Sequence, residues 1–299
     1  MGWKREQADC DPEGAPKMGI ADSNQVQADF WAAAGTMWIA DRHRFDRQVD
    51  HHGQAAIDAL APAAGERVID IGCGVGSTTL AIAEAVGPTG HVRGLDISPT
   101  MIEGAAAFAE AEGVTNVSFA VGDAMVEPFE SDADALFSRF GVMFFSDATA
   151  GFANMLHAIR PGGRLGFTCW QSPADNPWAS VPLTIASEFV DIPFGGDPTA
   201  PGPFSLGDVD RLRSVVEDAG FAEVEITPRT ADAMVGTDLE DAIDFLFRLI
   251  PPVAALEADD PAGAAELRAR LATELAPWET PDGVQVPSAV WIVTAKRET

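Results

Sequence analysis

"VIDIGCGVGSTTLAIAEAVG", residues 68–87, is the stretch on which the fold turns. An apolar run of strand type enters Gly72, Gly74 and Gly76 and leaves as a helical pattern. Glycines in that place bring bare backbone, and the free N–H groups of a helix start, up to a ligand that a Cβ would hold away. A tight strand-to-helix turn with no ligand would use the same glycines, so the neighbouring residues have to decide.

Outward from this loop the chain alternates. Strand-like segments at 67–71, 91–97, 116–123, 135–140 and 163–170 are separated by helical patterns, and the strands are too apolar to carry a wet face. That order predicts a parallel sheet covered on both sides. Gly87 with Pro88, Gly113, and "RPGG" at 160–163 read as helix ends. Upstream, Trp31, Trp38, Phe45, Val49, His52, Ala56 and Leu60 recur mostly three, four or seven apart, giving a helical stripe with a break near Gly35. Downstream of Trp170, a Pro/Gly-rich connection over 171–205 precedes a helix, the strand "AEVEITP", an amphipathic helix and a hairpin-like end that supplies an edge strand. The expected fold is α/β and Rossmann-like: a doubly wound, mostly parallel seven-stranded sheet with a helical N-terminal lid and C-terminal cap insertions. The expected units are a loose tail at 1–20, the lid at 21–60, the core at 61–170, and a cap with the last strands at 171–299.

With 46 acidic against 19 basic residues the chain carries a net charge of −27, which repels nucleic-acid phosphates and anionic lipid. Cys10, Cys73 and Cys169 stand far apart, so neither a disulfide framework nor a metal site is expected. No apolar run is long enough for membrane insertion and the N-terminus lacks an apolar signal core. A cytoplasmic protein with a small-molecule partner, monomeric or homodimeric, is the expectation.

Three ligand classes use a glycine loop of this kind. A P-loop needs Gly-Lys-Ser/Thr, but Gly-Ser-Thr-Thr stands here without a lysine. The dinucleotide fingerprint needs a third glycine where Ser77 stands, although a nicotinamide-dependent oxidoreductase fits loosely and remains an alternative. Asp70, two residues before the first glycine, repels a pyrophosphate and welcomes an ammonium group, since a charge-assisted hydrogen bond contributes roughly 1.5–3 kcal/mol.

Together with "VGDA", "FSRFGVMFF" and "RPGGRL", the segment from 68 to 105 resembles the class I S-adenosylmethionine-dependent methyltransferases of the small-molecule UbiE type, over about residues 66–170. The resemblance implies S-adenosylmethionine as cofactor and S-adenosylhomocysteine as product. It implies that Asp70, Gly72, Cys73 and Gly74 hold the methionine part, that Asp96 accepts from the ribose hydroxyls with Ile97 flanking the adenine, and that Asp123 and Ala124 meet the adenine edge. A non-catalytic module of the same fold is a further alternative, disfavoured by retention of all three acids.

Methyl transfer from a sulfonium is an in-line displacement, so alignment and exclusion of water come first and a base is needed only for a protonated acceptor. Arg139, at the end of the fourth strand, is assigned to the cofactor. Phe140, Met143, Phe144, Trp170 and Trp178 are expected to wall the acceptor pocket, with Trp31 and Trp38 reaching in from the lid. Phe204, Phe245, Phe247 and Trp278 are expected to roof it, which favours an apolar, ring-containing acceptor. His52 is the candidate base or orienting group, because it shares the lid's stripe; with no tyrosine in the chain, a phenolic base is excluded.

Overall fold

The computed structural model describes residues 20–192 and 197–299. The expected tail therefore lies outside the described residues, apart from its last residue. Two helices come first, α1 (Gln25–Ala40) and α2 (Arg42–Leu60). The alternating core follows as β1 (Arg67–Ile71), α3 (Ser77–Val86), β2 (His91–Asp96), α4 (Pro99–Ala111), β3 (Val117–Val121), β4 (Ala133–Arg139), α5 (Ala148–Ala158) and β5 (Ile159–Trp170). The remainder is α6 (Pro177–Ala186), α7 (Val209–Asp218), β6 (Ala222–Gly236), α8 (Leu239–Leu249), α9 (Pro251–Asp259), α10 (Pro261–Leu275), β7 (Glu279–Thr280) and β8 (Gly283–Lys296).

The sheet runs β3-β2-β1-β4-β5-β8-β6, with the two-residue β7 paired to β8 beside that seven-strand path. The first five strands are parallel, and β8 is antiparallel to both β5 and β6. Helices cover both faces, as alternate residues of β5 record. Gly166 lies under α2, where a Cβ would stand 2.9 Å from that of Leu60, while Phe167 turns the other way and meets Phe152 of α5 at 5.2 Å. Phe137, Leu136, Leu165, Ile82 and Leu95 are fully enclosed between these layers.

Four local expectations are corrected. The last strand is not an edge: β8 inserts between β5 and β6, and β6, more than twice the length of "AEVEITP", takes the outside. "RPGG" does not end a helix, because α5 stops at Ala158 and residues 159–163 already begin β5 with a register shift opposite Ala133. Gly35 does not break the stripe. It sits inside α1, where a Cβ would fall 2.8 Å from the Cβ of Thr100, so its smallness serves the packing of α1 on α4; the break comes at Asp41. The aromatic roof also disperses. Phe204 packs on the main core, Phe247 and Trp278 belong to a separate cap cluster, and of the four only Phe245 meets a lid ring, that of Phe45 at 5.4 Å. That cap cluster joins α6, α8, α9 and α10 through Ile185, Ile243, Phe247, Val253, Leu267 and Leu271.

Candidate functional site

The carboxyl ends of β1, β2 and β3 lie side by side, and the glycine loop leaves the first of them. Gly72, Gly74 and Gly76 have φ of +65°, +54° and +86°, the left-handed region that side chains with a Cβ rarely adopt. Gly72 and Gly76 are also tight against their neighbours: a Cβ on Gly72 would fall 2.9 Å from the Gly141 Cα, and one on Gly76 would press on Ala105 and Phe119. Gly74 differs. The nearest atom to its missing Cβ is the Met101 sulfur at 3.8 Å, an ordinary contact, so the chain is less crowded there than at its two neighbours. Cys73 turns inward against Gly94, and burial pushes its thiol well above the usual range, which leaves its backbone as the part facing the loop.

Three acids stand at or just beyond the ends of these strands. Asp70 is fully enclosed; its Oδ2 accepts from the hydroxyls of Thr78 and Thr79, each at 2.7 Å, while its Oδ1 has no partner. Burial raises its carboxyl to about 6, against the lowering effect of the Thr79 and Thr78 hydroxyls and of the Arg139 charge. Asp96 accepts from the Gly74 N–H at 2.8 Å through Oδ2 and from the Ser98 N–H at 2.9 Å through Oδ1, tying the loop to β2; burial raises this group too, against those backbone donors. Asp123 accepts from the Met125 N–H at 2.9 Å and, across the cleft, from the N–H of Ala21 at 3.1 Å. Ile97 is partly exposed beside Asp96, and Ala124 is buried beside Asp123 with its carbonyl accepting from Asn154. A buried carboxylate oxygen without a donor, next to a bare loop, suits a ligand that presents an ammonium group.

The lid closes on this edge. The Ser98 hydroxyl donates to the Trp31 carbonyl at 3.1 Å, the Trp31 ring meets Phe144 at 4.9 Å, and Trp38 stacks on Phe45 at 3.7 Å. Arg139 is spent on the lid's second helix: it donates to Asp50 at 2.6 Å and Asp46 at 3.1 Å, and its chain lies against Gly53. A cavity of about 300 Å³ opens there between α2 and the start of α3, bordered by Thr78.

Beyond the end of β4, Phe140 stacks on Trp170, which Trp178 approaches at 4.7 Å. Met143 is buried, its sulfur accepting from the Trp170 N–H at 3.4 Å, so it supports the wall from behind rather than lining it. His52 is enclosed beneath Trp170. The Ser288 hydroxyl donates to the Ala231 carbonyl at 2.7 Å, so the His52 Nε2 that lies 2.8 Å from Ser288 carries the hydrogen, and Nδ1 is left as a lone pair without a partner. Burial, with the nearby His51 and Arg229 charges, lowers His52 to about 3.

The sequence reading missed Thr78, Thr79, Ser288 and Asn24. For the threonines the signal was present, since "GSTT" puts two hydroxyls on the first turn after the loop that Asp70 precedes. Ser288 lies 236 residues from His52 and carries no local mark. Among the described residues no group of His, Cys, Asp and Glu forms a metal site, and no helix is long and apolar enough to cross a membrane.

Comparison with known proteins converges on one family. Residues 68–163 match the methyltransferase domain family. Aklanonic acid methyltransferase of a Streptomyces species is 39% identical over 117 residues, 39% of this chain and 53% of that protein, so the chain spans about half of that relative's length. Demethylmenaquinone methyltransferase of Staphylococcus aureus is 30% identical over 173 residues, 54% of this chain and 70% of that protein. Among solved structures, the [4+2]-cyclase SpnF superposes with a TM-score of 0.58 at 19% identity, over 94% of this chain and 98% of that one, which supports the fold alone.

Proposed function

The chain belongs to the class I S-adenosylmethionine-dependent methyltransferases, and from that premise we propose that it moves a methyl group from S-adenosylmethionine to a small, largely apolar, ring-containing metabolite by in-line displacement. When bound, the cofactor supplies a sulfonium-activated methyl group. The chain's own part is to hold, align and dry the site.

The observation that carries the reading is the set of three carboxylates, Asp70, Asp96 and Asp123, on three neighbouring strand ends, one of them holding the glycine loop through the Gly74 N–H. The unpaired Oδ1 of Asp70 receives the ammonium end. Asp96 keeps a free lone pair on each oxygen after serving Gly74 and Ser98, enough for two vicinal hydroxyls. Asp123 takes the nucleobase edge, with Ile97 and Ala124 beside it. The nearest part of Arg139's role is indirect: it fixes α2 over the methionine end.

On the other side, the Phe140–Trp170 stack and Trp178 wall an apolar acceptor and keep water off the reacting carbon. Demethylmenaquinone methyltransferase, a quinone enzyme by its name, supports a ring-bearing acceptor. His52 offers its Nδ1 lone pair to orient an acceptor hydroxyl. With its basicity lowered to about 3, it orients such a group rather than removing the proton, so an acceptor that reacts as an anion arrives already ionised.

Calorimetric binding of S-adenosylhomocysteine and of NADH tests the donor, and transfer of labelled methyl to a panel of quinones, phenols and cyclic carboxylic acids tests the acceptor. Tight binding of S-adenosylhomocysteine and label on a ring-bearing acceptor are expected. NADH binding without S-adenosylhomocysteine binding would overturn the donor assignment.

A further inference from the structure

Asn24 occupies the N-cap position of α1 yet does not cap it. Its side chain accepts nothing from the helix, whereas Ser98, Asp147, Asp208, Asp238 and Asp260, at the same position of α4, α5, α7, α8 and α10, each accept from the backbone N–H three residues on. The residue is instead 97% enclosed, and its Oδ1 has no hydrogen-bond partner. An asparagine so placed forgoes the bond that its type favours at a helix start and also leaves a buried acceptor desolvated. Both are unfavourable unless a donor arrives from outside the chain.

The surroundings say which donor. Asn24 closes the single turn that begins at Ala21, its own N–H donating to the Ala21 carbonyl at 2.7 Å. The other end of that turn is anchored on the site, the Ala21 N–H donating to Asp123 Oδ2 and the Ser146 hydroxyl donating to that of Ser23 at 2.8 Å. Further along, the Trp31 carbonyl is held by Ser98, two residues beyond Asp96. The lid's first turns thus cross the cleft from the end of β3 towards the end of β2, over the part of the edge that the proposed function gives to the nucleoside.

We propose that Asn24 is a cofactor-reading residue of the lid, its Oδ1 accepting from the exocyclic amine of the adenine alongside Asp123. An amine has two hydrogens, and a sheet-borne carboxylate with a lid-borne amide takes one each. The element that covers the base then also reads its 6-amino group. This inference rests on the cofactor reading above.

The test uses the full chain, without turnover. Equilibrium binding is measured by calorimetry for S-adenosylhomocysteine and for S-inosylhomocysteine, whose 6-oxo group replaces the amine, with wild type, Asn24→Ala and the nearly isosteric Asn24→Leu. The wild type is expected to prefer the amino ligand, and both substitutions to weaken it about 5- to 50-fold while leaving the oxo ligand within a factor of two. Asn24→Leu should melt no lower than wild type without ligand, because it removes an unpaired buried oxygen, so a binding loss there is not a folding loss. Equal weakening of both ligands, or unchanged binding of both, would overturn the inference while leaving the donor assignment intact. A wild type that binds neither ligand overturns the donor assignment, and this inference with it.

Discussion

Phe140 lays its ring on that of Trp170, 4.2 Å apart and 10° from parallel, while its own backbone is held at φ +60°. A bulky residue in the left-handed region stores on the order of 1–3 kcal/mol of strain, and such residues gather where a side chain must be aimed. The aim here comes from both sides of the residue: the Phe140 N–H donates to the Thr168 carbonyl at 3.0 Å, and Gly141 touches Gly72.

From this strain, Phe140→Gly should be more stable than Phe140→Ala by about 1 kcal/mol, since both lose the ring and only glycine is at ease at that φ. Denaturant midpoints give the comparison. Alanine as the more stable of the two would show that the left-handed backbone relaxes when the stack is lost. Both variants should transfer methyl groups slowly, because the wall at the reacting face is gone.

Asp70 sets a pH dependence. Its folded carboxyl lies near 6 against an ordinary 3.8, so the folded state binds the proton more tightly than the unfolded chain does. Its contribution to stability is present below about pH 4 and is lost as pH rises through 6. Asp70→Asn should therefore raise the stability of the ligand-free protein at pH 7.5, by up to about 3 kcal/mol at 1.36 kcal/mol per pH unit, with little change at pH 4. An ammonium group beside Asp70 pulls the same proton off, so binding S-adenosylhomocysteine between pH 5 and 6.5 should release protons, seen as a dependence of binding heat on buffer ionisation enthalpy. Proton uptake in that window would contradict the ammonium assignment.

Asp96→Ala should weaken S-adenosylhomocysteine binding by about 1–3 kcal/mol while the sheet stays folded, because hydrogen bonds to a charged acceptor are removed at a strand end. The same change frees the Gly74 and Ser98 N–H groups, so hydrogen exchange should quicken at those two amides and not in β1. Unchanged affinity would move the ribose contact elsewhere.

The lid has its own control point at Gly35. Its missing Cβ would fall 2.8 Å from Thr100, so Gly35→Ala should lift α1 from α4. Exchange in α1 should accelerate and the KM for the cofactor should rise, with the unfolding midpoint of the sheet nearly unchanged. Full protection of α1 in the variant would mean that the helix slides rather than lifts.

What could be read in advance is what short-range chemistry determines. The glycine loop shows itself because three positive-φ positions sit within five residues, and the parallel core shows itself because buried strands alternate with helices. Asp70 stood out through its place just before the loop and Asp96 and Asp123 through the family resemblance, and all three lie at or just beyond neighbouring strand ends. The place of β8 was not, since a strand's own pattern is the same at an edge as between two partners. Arg139 has the residue type for a cofactor's carboxylate, and only the path of α2 reveals that Asp46 and Asp50 claim it. Asn24 looks in sequence like an ordinary helix cap; its enclosure depends on a turn docked about 100 residues away on Asp123.

The cap has a core of its own, and Trp178 is a side chain that packs on both that cluster and the main one. Two interiors with separate memberships can diverge at different rates. Substitutions in α8 to α10 fall on the cap's own interior and leave the pairing of β1, β2 and β3 untouched. A lineage, or an engineer, can thereby rework that half of the molecule while the strand ends that bear the three acids stay as they are.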